Sequence, residues 1–159
     1  MVKKCQQCGG SDVRAATLDD VRVLDGQRFA AQIKGQKCGA CGERYYPGGA
    51  GPSPAEAQAA AALARGGIRG PEGFKFLRRA VGLKSSELAA LLNLRVETLS
   101  RWENGRAAID RAAAAALCAL AADKIAGRSD MRDRLEAMRA PPPKARGGRR
   151  VGRAAHVHL

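Results

Sequence analysis

The stretch Lys84–Gly105, KSSELAALLNLRVETLSRWENG, spaces its apolar side chains for two short helices meeting across a tight turn. Leu88, Leu91 and Leu92 recur at intervals of three and four and form one stripe, and Ala89 leaves room for a second helix to cross closely. Asn93 takes the turn, because among non-glycine residues asparagine best tolerates a left-handed backbone, and Leu94 behind it points back to the core. In the second helix Leu99 and Trp102 share a face, which leaves Arg95, Glu97, Thr98, Ser100 and Arg101 outward. Helices crossed in this way present the second one to a DNA major groove. A plain helical hairpin in an all-α core is the alternative that fits the same periodicity.

Cysteines supply the second pattern. Cys5 and Cys8 form one Cys-x-x-Cys pair and Cys38 and Cys41 another, with 29 residues between the pairs. Four thiolates at this spacing close a tetrahedral zinc site, and Gly9, Gly39 and Gly42 suit knuckles whose backbone N–H groups turn toward sulfur. Disulfides suit a reducing compartment poorly, and a thioredoxin-like redox site needs one such pair on a βαβ unit. Four cysteine ligands leave no open position for a catalytic water, so the zinc is expected to be structural.

Between the pairs, Val21, Val23, Phe29, Ala31 and Ile33 alternate with polar neighbours, and Asp25-Gly26 is a two-residue hairpin signal. Strands therefore link the knuckles in a zinc ribbon. So few large apolar residues in about fifty cannot bury a self-sufficient core, and bound metal is expected to hold the segment together.

Further along, Gly48-Gly49-Ala50-Gly51-Pro52 marks a flexible break. Ser53 or Pro54 opens an alanine-rich helix to about Arg65, a linker helix toward the next unit across Gly66–Gly70. Glu72–Val81 forms another helix, with Phe74, Leu77 and Val81 on one stripe and Arg78 and Arg79 expected outward. Asp110 caps a helix to about Ile125, and Ser129 or Asp130 caps a last one bearing Met131, Leu135 and Met138. Cys118 is most simply a small core residue.

Pro141-Pro142-Pro143 ends the fold, and Lys144–Leu159 reads as a disordered basic arm. Its RGGRR run either binds phosphate or RNA or is a solvated tail, and His156 and His158 resemble a metal pair only superficially. The expected fold class is α+β: a zinc ribbon at 1–50, a linker with a short helix at 51–70, an all-α helix-turn-helix domain at 71–139 and the tail at 140–159.

The formal net charge of +13 points to a polyanionic partner. Residues 1–50 carry eight basic and five acidic side chains, 51–139 fifteen and ten, and 140–159 five and none, so the excess is densest in the tail. No segment approaches the roughly twenty apolar residues of a membrane span. Met1-Val2-Lys3-Lys4-Cys5 lacks the apolar core of a secretory signal, which makes a cytoplasmic protein the expectation. A Ser-His-Asp set, a phosphate loop and an open metal site are all missing, which disfavours an enzyme.

The order ELA, a turn and then TLSRWENG resembles the helix-turn-helix of XRE and Cro/C1-type repressors, with Ser100-Arg101-Trp102-Glu103-Asn104-Gly105 its most specific run. Two positions differ: Ser85 stands where glutamine commonly opens the first helix, and Asn93 where the turn usually has glycine. With the four-cysteine ribbon ahead of it, the arrangement is similar to the MqsA family of type II antitoxins, with its YgiT-type zinc finger, over roughly residues 1–125.

That resemblance implies a homodimeric repressor on a palindromic double-stranded operator, with a zinc domain that restrains an MqsR-like mRNA-cleaving toxin. It makes Arg101 the base reader. It also puts Glu97 where the family typically reads with asparagine; glutamate accepts from cytosine N4 but cannot bond adenine bidentately, so the operator should differ.

Side-chain chemistry assigns the other roles. Arg101 can fork onto guanine O6 and N7, Lys84, Ser85, Thr98 and Ser100 suit phosphate, and Arg95 suits either. Glu103 is expected to pair or cap internally. A dimer would set its reading helices about 34 Å apart. The rival reading is a stand-alone regulator whose ribbon is a structural, dimerisation or sensor module.

Overall fold

The computed structural model describes residues 2–48 and 51–139. Gly49 and Ala50 of the expected break, the basic arm with its RGGRR run, and His156 and His158 all lie outside them.

The fold is α+β. Two long strands, β1 (Val13–Leu24) and β2 (Gln27–Cys38), pair antiparallel from Val13↔Cys38 to Leu24↔Gln27, and short β3 (Arg44–Tyr45) joins the far side of β2. The two-residue hairpin forms at Asp25-Gly26, both with positive φ (47° and 76°), the turn whose twist matches that of the strands.

Among the described residues six helices follow: α1 (Pro54–Gly66), α2 (Pro71–Ala80), α3 (Ser85–Leu91), α4 (Val96–Glu103), α5 (Arg111–Ile125) and α6 (Asp130–Arg139). None of them is long and apolar enough to cross a membrane. Ser53 and Glu56 close a capping box at the start of α1, and Asp110 accepts from the Ala113 N–H at the start of α5.

Most large, fully buried side chains are helical: Phe74, Leu77, Leu88, Leu99 and Leu117. At about 1.5–3 kcal/mol for each such residue, the helices supply the bulk of the hydrophobic stabilisation. The sheet contributes Leu18, Leu24 and Phe29, of which Leu24 and Phe29 lie at the hairpin tip and join the helical core rather than forming one of their own. Helix α1 buries Ala55, Ala59 and Leu63 along one face, packing against the sheet, α2 and α5; its alanines allow the close approach.

Polar contacts fix this docking. The Asp25 carboxylate accepts from the Glu72 and Gly73 N–H groups at 3.0 and 2.7 Å, and the Glu72 carboxylate accepts from the Asp25 N–H at 2.7 Å. A capping box normally built within one helix is here built between the hairpin and α2. Gly70 and Gly73 make room for it, since a Cβ at Gly73 would lie 2.8 Å from the Asp25 carboxylate. Asp20 treats α1 likewise, accepting from the Ala55 N–H at 2.8 Å.

One expectation, the outward Arg78, needs correction, and the structure decides which apolar residues of β1 and α6 face the core. Val21 and Val23 are exposed, at 42% and 55%: the register sets them opposite Ala30 and Arg28, on the face away from Phe29, Ala31 and Ile33, and the inward residues of β1 are Leu18 and Leu24. Arg78 points inward instead of outward, because position 78 shares the stripe of Phe74, Leu77 and Val81 and meets an acid there. In α6, Met131 and Leu135 are partly buried, but Met138 is 81% exposed.

Candidate metal centre and nucleic-acid interface

The hairpin brings the two knuckles together by pairing its open ends. Each knuckle is closed by its own backbone: Gly9 N–H donates to the Cys5 carbonyl at 2.9 Å and Gly42 N–H to the Cys38 carbonyl at 3.0 Å. As a result the Sγ atoms of Cys5, Cys8, Cys38 and Cys41 all lie within 4.8 Å of one another, with Cys5–Cys41 at 3.5 Å and Cys8–Cys38 at 3.8 Å. Tetrahedral zinc–sulfur bonds of about 2.3 Å place sulfurs about 3.8 Å apart. The four cysteines therefore fit a metal ion such as zinc, and none of them is joined in a disulfide. Cys5 and Cys38 are buried while Cys8 and Cys41 face solvent, so the cluster lies at the surface of the ribbon.

Tyr45 is a contributor that the sequence reading missed. Its hydroxyl donates to Cys5 Sγ at 3.1 Å and accepts from the Gln6 N–H at 2.8 Å. The Tyr45 hydroxyl, helped by backbone N–H groups of Cys8 and Gln7, holds the Cys5 thiol down at about 6, and the same bond raises the Tyr45 phenol. Cys41 receives a favourable Glu43 backbone N–H, yet the crowding sulfurs, Cys5 first and then Cys8 and Cys38, together with the partial loss of water around its own sulfur, push it up to about 12. Four sulfurs this close cannot all carry charge without a cation among them, which is the electrostatic case for a metal.

At the other end of the molecule, α3 and α4 cross through the turn expected at Asn93. Its φ is 52°; Leu94 N–H donates to the Ala89 carbonyl at 2.8 Å and Asn93 N–H to Ala90 at 3.4 Å, the bond pair of a Schellman ending. Leu88, Ala89, Leu91, Leu99 and Trp102 are buried, and Leu92 and Leu94 pack beside them. Trp102 meets Phe74 edge to face with centroids 5.8 Å apart.

Outward on α4 stand Glu97, Ser100 and Arg101, all exposed, with Thr98 half-buried and Arg95 exposed at the N-cap. Lys84 is exposed and Ser85 half-buried at the start of α3, where the Glu87 carboxylate accepts from the Lys84 N–H at 2.7 Å. Asn104 folds back along α4, donating its amide to the Ser100 carbonyl at 2.7 Å. Val96, 42% exposed in the first turn of α4, is a further outward residue that the sequence reading left out because it is apolar.

Glu103 pairs internally, as expected. Its carboxylate accepts a fork from Arg78, Nε at 2.5 Å and Nη2 at 3.0 Å, while Arg78 Nη1 donates to the Leu83 carbonyl at 2.7 Å. Both side chains are only 8% exposed. The pair ties the C-terminal end of α4 to α2 and to the loop before α3, fixing the tilt at which α4 presents Arg101. Among the described residues no buried side-chain polar atom lacks a partner.

A family model described as the antitoxin component of bacterial toxin-antitoxin system, MqsA, matches residues 3–123. A search of curated proteins returned no match.

Proposed function

Since this chain belongs to the MqsA family of bacterial antitoxins, we propose that it represses its own operon through α4 and restrains an MqsR-like RNA-cleaving toxin through the ribbon. It would act as a homodimer in the cytoplasm. The observation that carries the DNA half is the division of α4: Leu99 and Trp102 are buried, while Arg101, Glu97 and Ser100 are exposed on a helix whose end is locked by the Arg78–Glu103 pair.

On this reading α4 lies in the major groove of a palindromic operator. Arg101 forks onto a guanine, Glu97 accepts from a cytosine amine, and Val96 lies against a thymine methyl. Lys84, Ser85, Thr98 and Ser100 hold phosphates and set the register, with Arg95 at the edge of both contact types. The partner protomer would seat on the apolar groove edged by Leu92, Leu94, Ala116, Leu135 and Met138.

Zinc is the metal that four thiolates at this geometry favour, and its role is structural. When bound it cross-links the two knuckles; the chain's own part is to hold four sulfurs ready and to keep Cys5 hydrogen-bonded. For the toxin, the supporting feature is β1. It is an edge strand of the sheet, and its outer face exposes Val21 and Val23. The ribbon carries a net charge of +3, so contact with a basic RNA-cleaving toxin depends on this apolar strand surface and on main-chain pairing.

Two measurements test the proposal. Arg101→Ala should weaken binding to DNA from upstream of the gene far more than binding to random duplex; equal losses would remove Arg101 from base reading. Co-expression with the adjacent gene should yield a co-purifying small protein, and Val21→Lys/Val23→Lys should release it. No copurifying partner would leave the chain a stand-alone regulator.

A further inference from the structure

Three cations stand in line across the cysteine end of the sheet. The register sets Arg14 of β1 directly opposite Lys37 of β2, and Lys37 directly opposite Arg44 of β3. Cross-strand partners point to one face with Cβ atoms about 4.5–5.5 Å apart, so the three side chains form one row. All three are exposed. Arg14 donates from Nε to the Asp12 carboxylate yet stays 79% exposed, while Lys37 and Arg44 form no ion pair among the described residues, even with neighbouring Glu43. Like charges held directly opposite each other weaken a sheet. An anion lying along the row would turn that repulsion into attraction.

The face that carries the row is the one α1 covers nearer the hairpin tip, where Leu18, Asp20 and Leu24 follow Arg14 in phase. The cysteine cluster lies behind it, since Tyr45, on the opposite face, bonds Cys5. In the next row Ala16 faces Gly35, and Leu18 fills the space over Gly35, where a Cβ would come 2.6 Å from Leu18 Cδ1. The floor beside the cations is therefore low. Tyr46, just past β3 and on Arg44's side of the sheet, stands at its edge 50% exposed, with its hydroxyl donating to the Asp19 carbonyl at 3.3 Å. That bond holds the ring across the sheet. Beyond it, Asp19, Asp20 and Glu56 line the groove toward α1; Asp20 accepts from the Ala55 N–H and Glu56 from the Ser53 N–H. These acids bound the cationic surface on one side, so an anionic chain must run along the row and past the ring, away from α1.

We propose that Arg14, Lys37, Arg44 and Tyr46 form a binding site for single-stranded nucleic acid, with phosphates on the three cations and a base stacked on Tyr46. An exposed ring meets a base face only where that base is unpaired, which excludes a duplex, and stacking with phosphate contact tolerates any sequence. The site lies apart from α4 and on the other face from Val21 and Val23. It therefore stands or falls independently of operator reading and of the toxin.

The test uses the full zinc-loaded chain and a labelled single strand of about twelve nucleotides without self-complementarity, made as RNA and as DNA of one sequence. Lys37→Gln/Arg44→Gln should weaken binding on the order of tenfold in about 0.1 M salt, with a log–log salt slope shallower by roughly 0.7 for each phosphate no longer neutralised. Its urea midpoint should match or exceed that of wild type, because the repulsion across the row is relieved. Tyr46→Leu should lose about fivefold or more and Tyr46→Phe little, since the ring is what stacks. Duplex from upstream of the gene should bind every variant as it binds wild type, and the tighter of the two single strands identifies the kind of strand the site takes. Unchanged affinity and parallel salt slopes in the double variant would overturn the site. So would a double variant that binds the strand as before but no longer co-purifies with the adjacent gene's product, because the row would then belong to a protein partner. Equal losses in Tyr46→Leu and Tyr46→Phe would remove the stacked base and with it the single-strand reading.

Discussion

Asp25 and Glu72 cap each other across 47 residues of sequence, the carboxylate of each accepting from a backbone N–H of the other. Because Asp25 sits at the hairpin tip and Glu72 in the first turn of α2, these bonds join the four-cysteine sheet to the helical half. Losing a helix N-cap costs about 0.5–2 kcal/mol, and alanine adds roughly 1 kcal/mol at a left-handed position such as Asp25. Asp25→Ala should therefore lower the stability of the whole chain by about 1–3 kcal/mol in urea titration. Asp25→Asn, which tolerates the backbone and keeps one acceptor, should lose less. No loss in Asp25→Asn, with a loss in Asp25→Ala no larger than the backbone cost of about 1 kcal/mol, would show that the capping bonds contribute little.

Tyr45→Phe keeps the ring and removes the hydroxyl that bonds Cys5. Partners of this kind around a metal ligand are worth roughly 10–100-fold in metal affinity. Competition against a chromogenic chelator should show zinc held more weakly by about that factor, with the sheet still folded when zinc is in excess. An unchanged affinity would remove Tyr45 from the centre.

Breaking the Arg78–Glu103 pair from one side leaves a buried charge without its partner, a loss of about 3–5 kcal/mol. Arg78→Ala and Glu103→Ala should each destabilise by that order in denaturant. Arg78→Met/Glu103→Leu, which removes both charges, should be milder than either and yet bind DNA less selectively, because the end of α4 is no longer fixed.

The Asp123 carboxyl lies below its ordinary value of 3.8 because the Met131 N–H and then the Arg128 side chain favour its charged form. The folded chain binds that proton less tightly than the unfolded one, so the stabilisation is complete above the ordinary value and is lost as pH falls through the lower, folded value. Since Asp123 accepts from the Met131 N–H at 2.7 Å, acid should loosen α6 first. Hydrogen exchange at Met131–Leu135 should accelerate in wild type over that window, whereas Asp123→Asn should be loose already at neutral pH.

What could be read from the sequence is what depends on local spacing. The crossing of α3 and α4, the left-handed Asn93, the hairpin at Asp25-Gly26 and the four cysteines each follow from residues a few positions apart. Arg78 was not legible, because a charge on an apolar stripe is normally placed outward and its justification, Glu103, lies 25 residues further on. The inner face of β1 was not legible for a related reason. A two-sided alternation in β1 offers two possible inner faces, and the choice is made by helices elsewhere in the chain. Tyr45 becomes meaningful only when β3 folds back over Cys5. Among the candidate DNA contacts, the outward set on α4 followed from helical phase.

The meeting of Asp25 with Gly70 and Gly73 also constrains how such genes can be shuffled. A foreign ribbon joined to these helices would need an acid at its hairpin tip, and foreign helices would need two residues without side chains opposite Asp25. Three positions in two halves of the gene must therefore be inherited together. Recombination near the linker should keep this capped joint only between parents that share that trio, and other hybrids should be less stable.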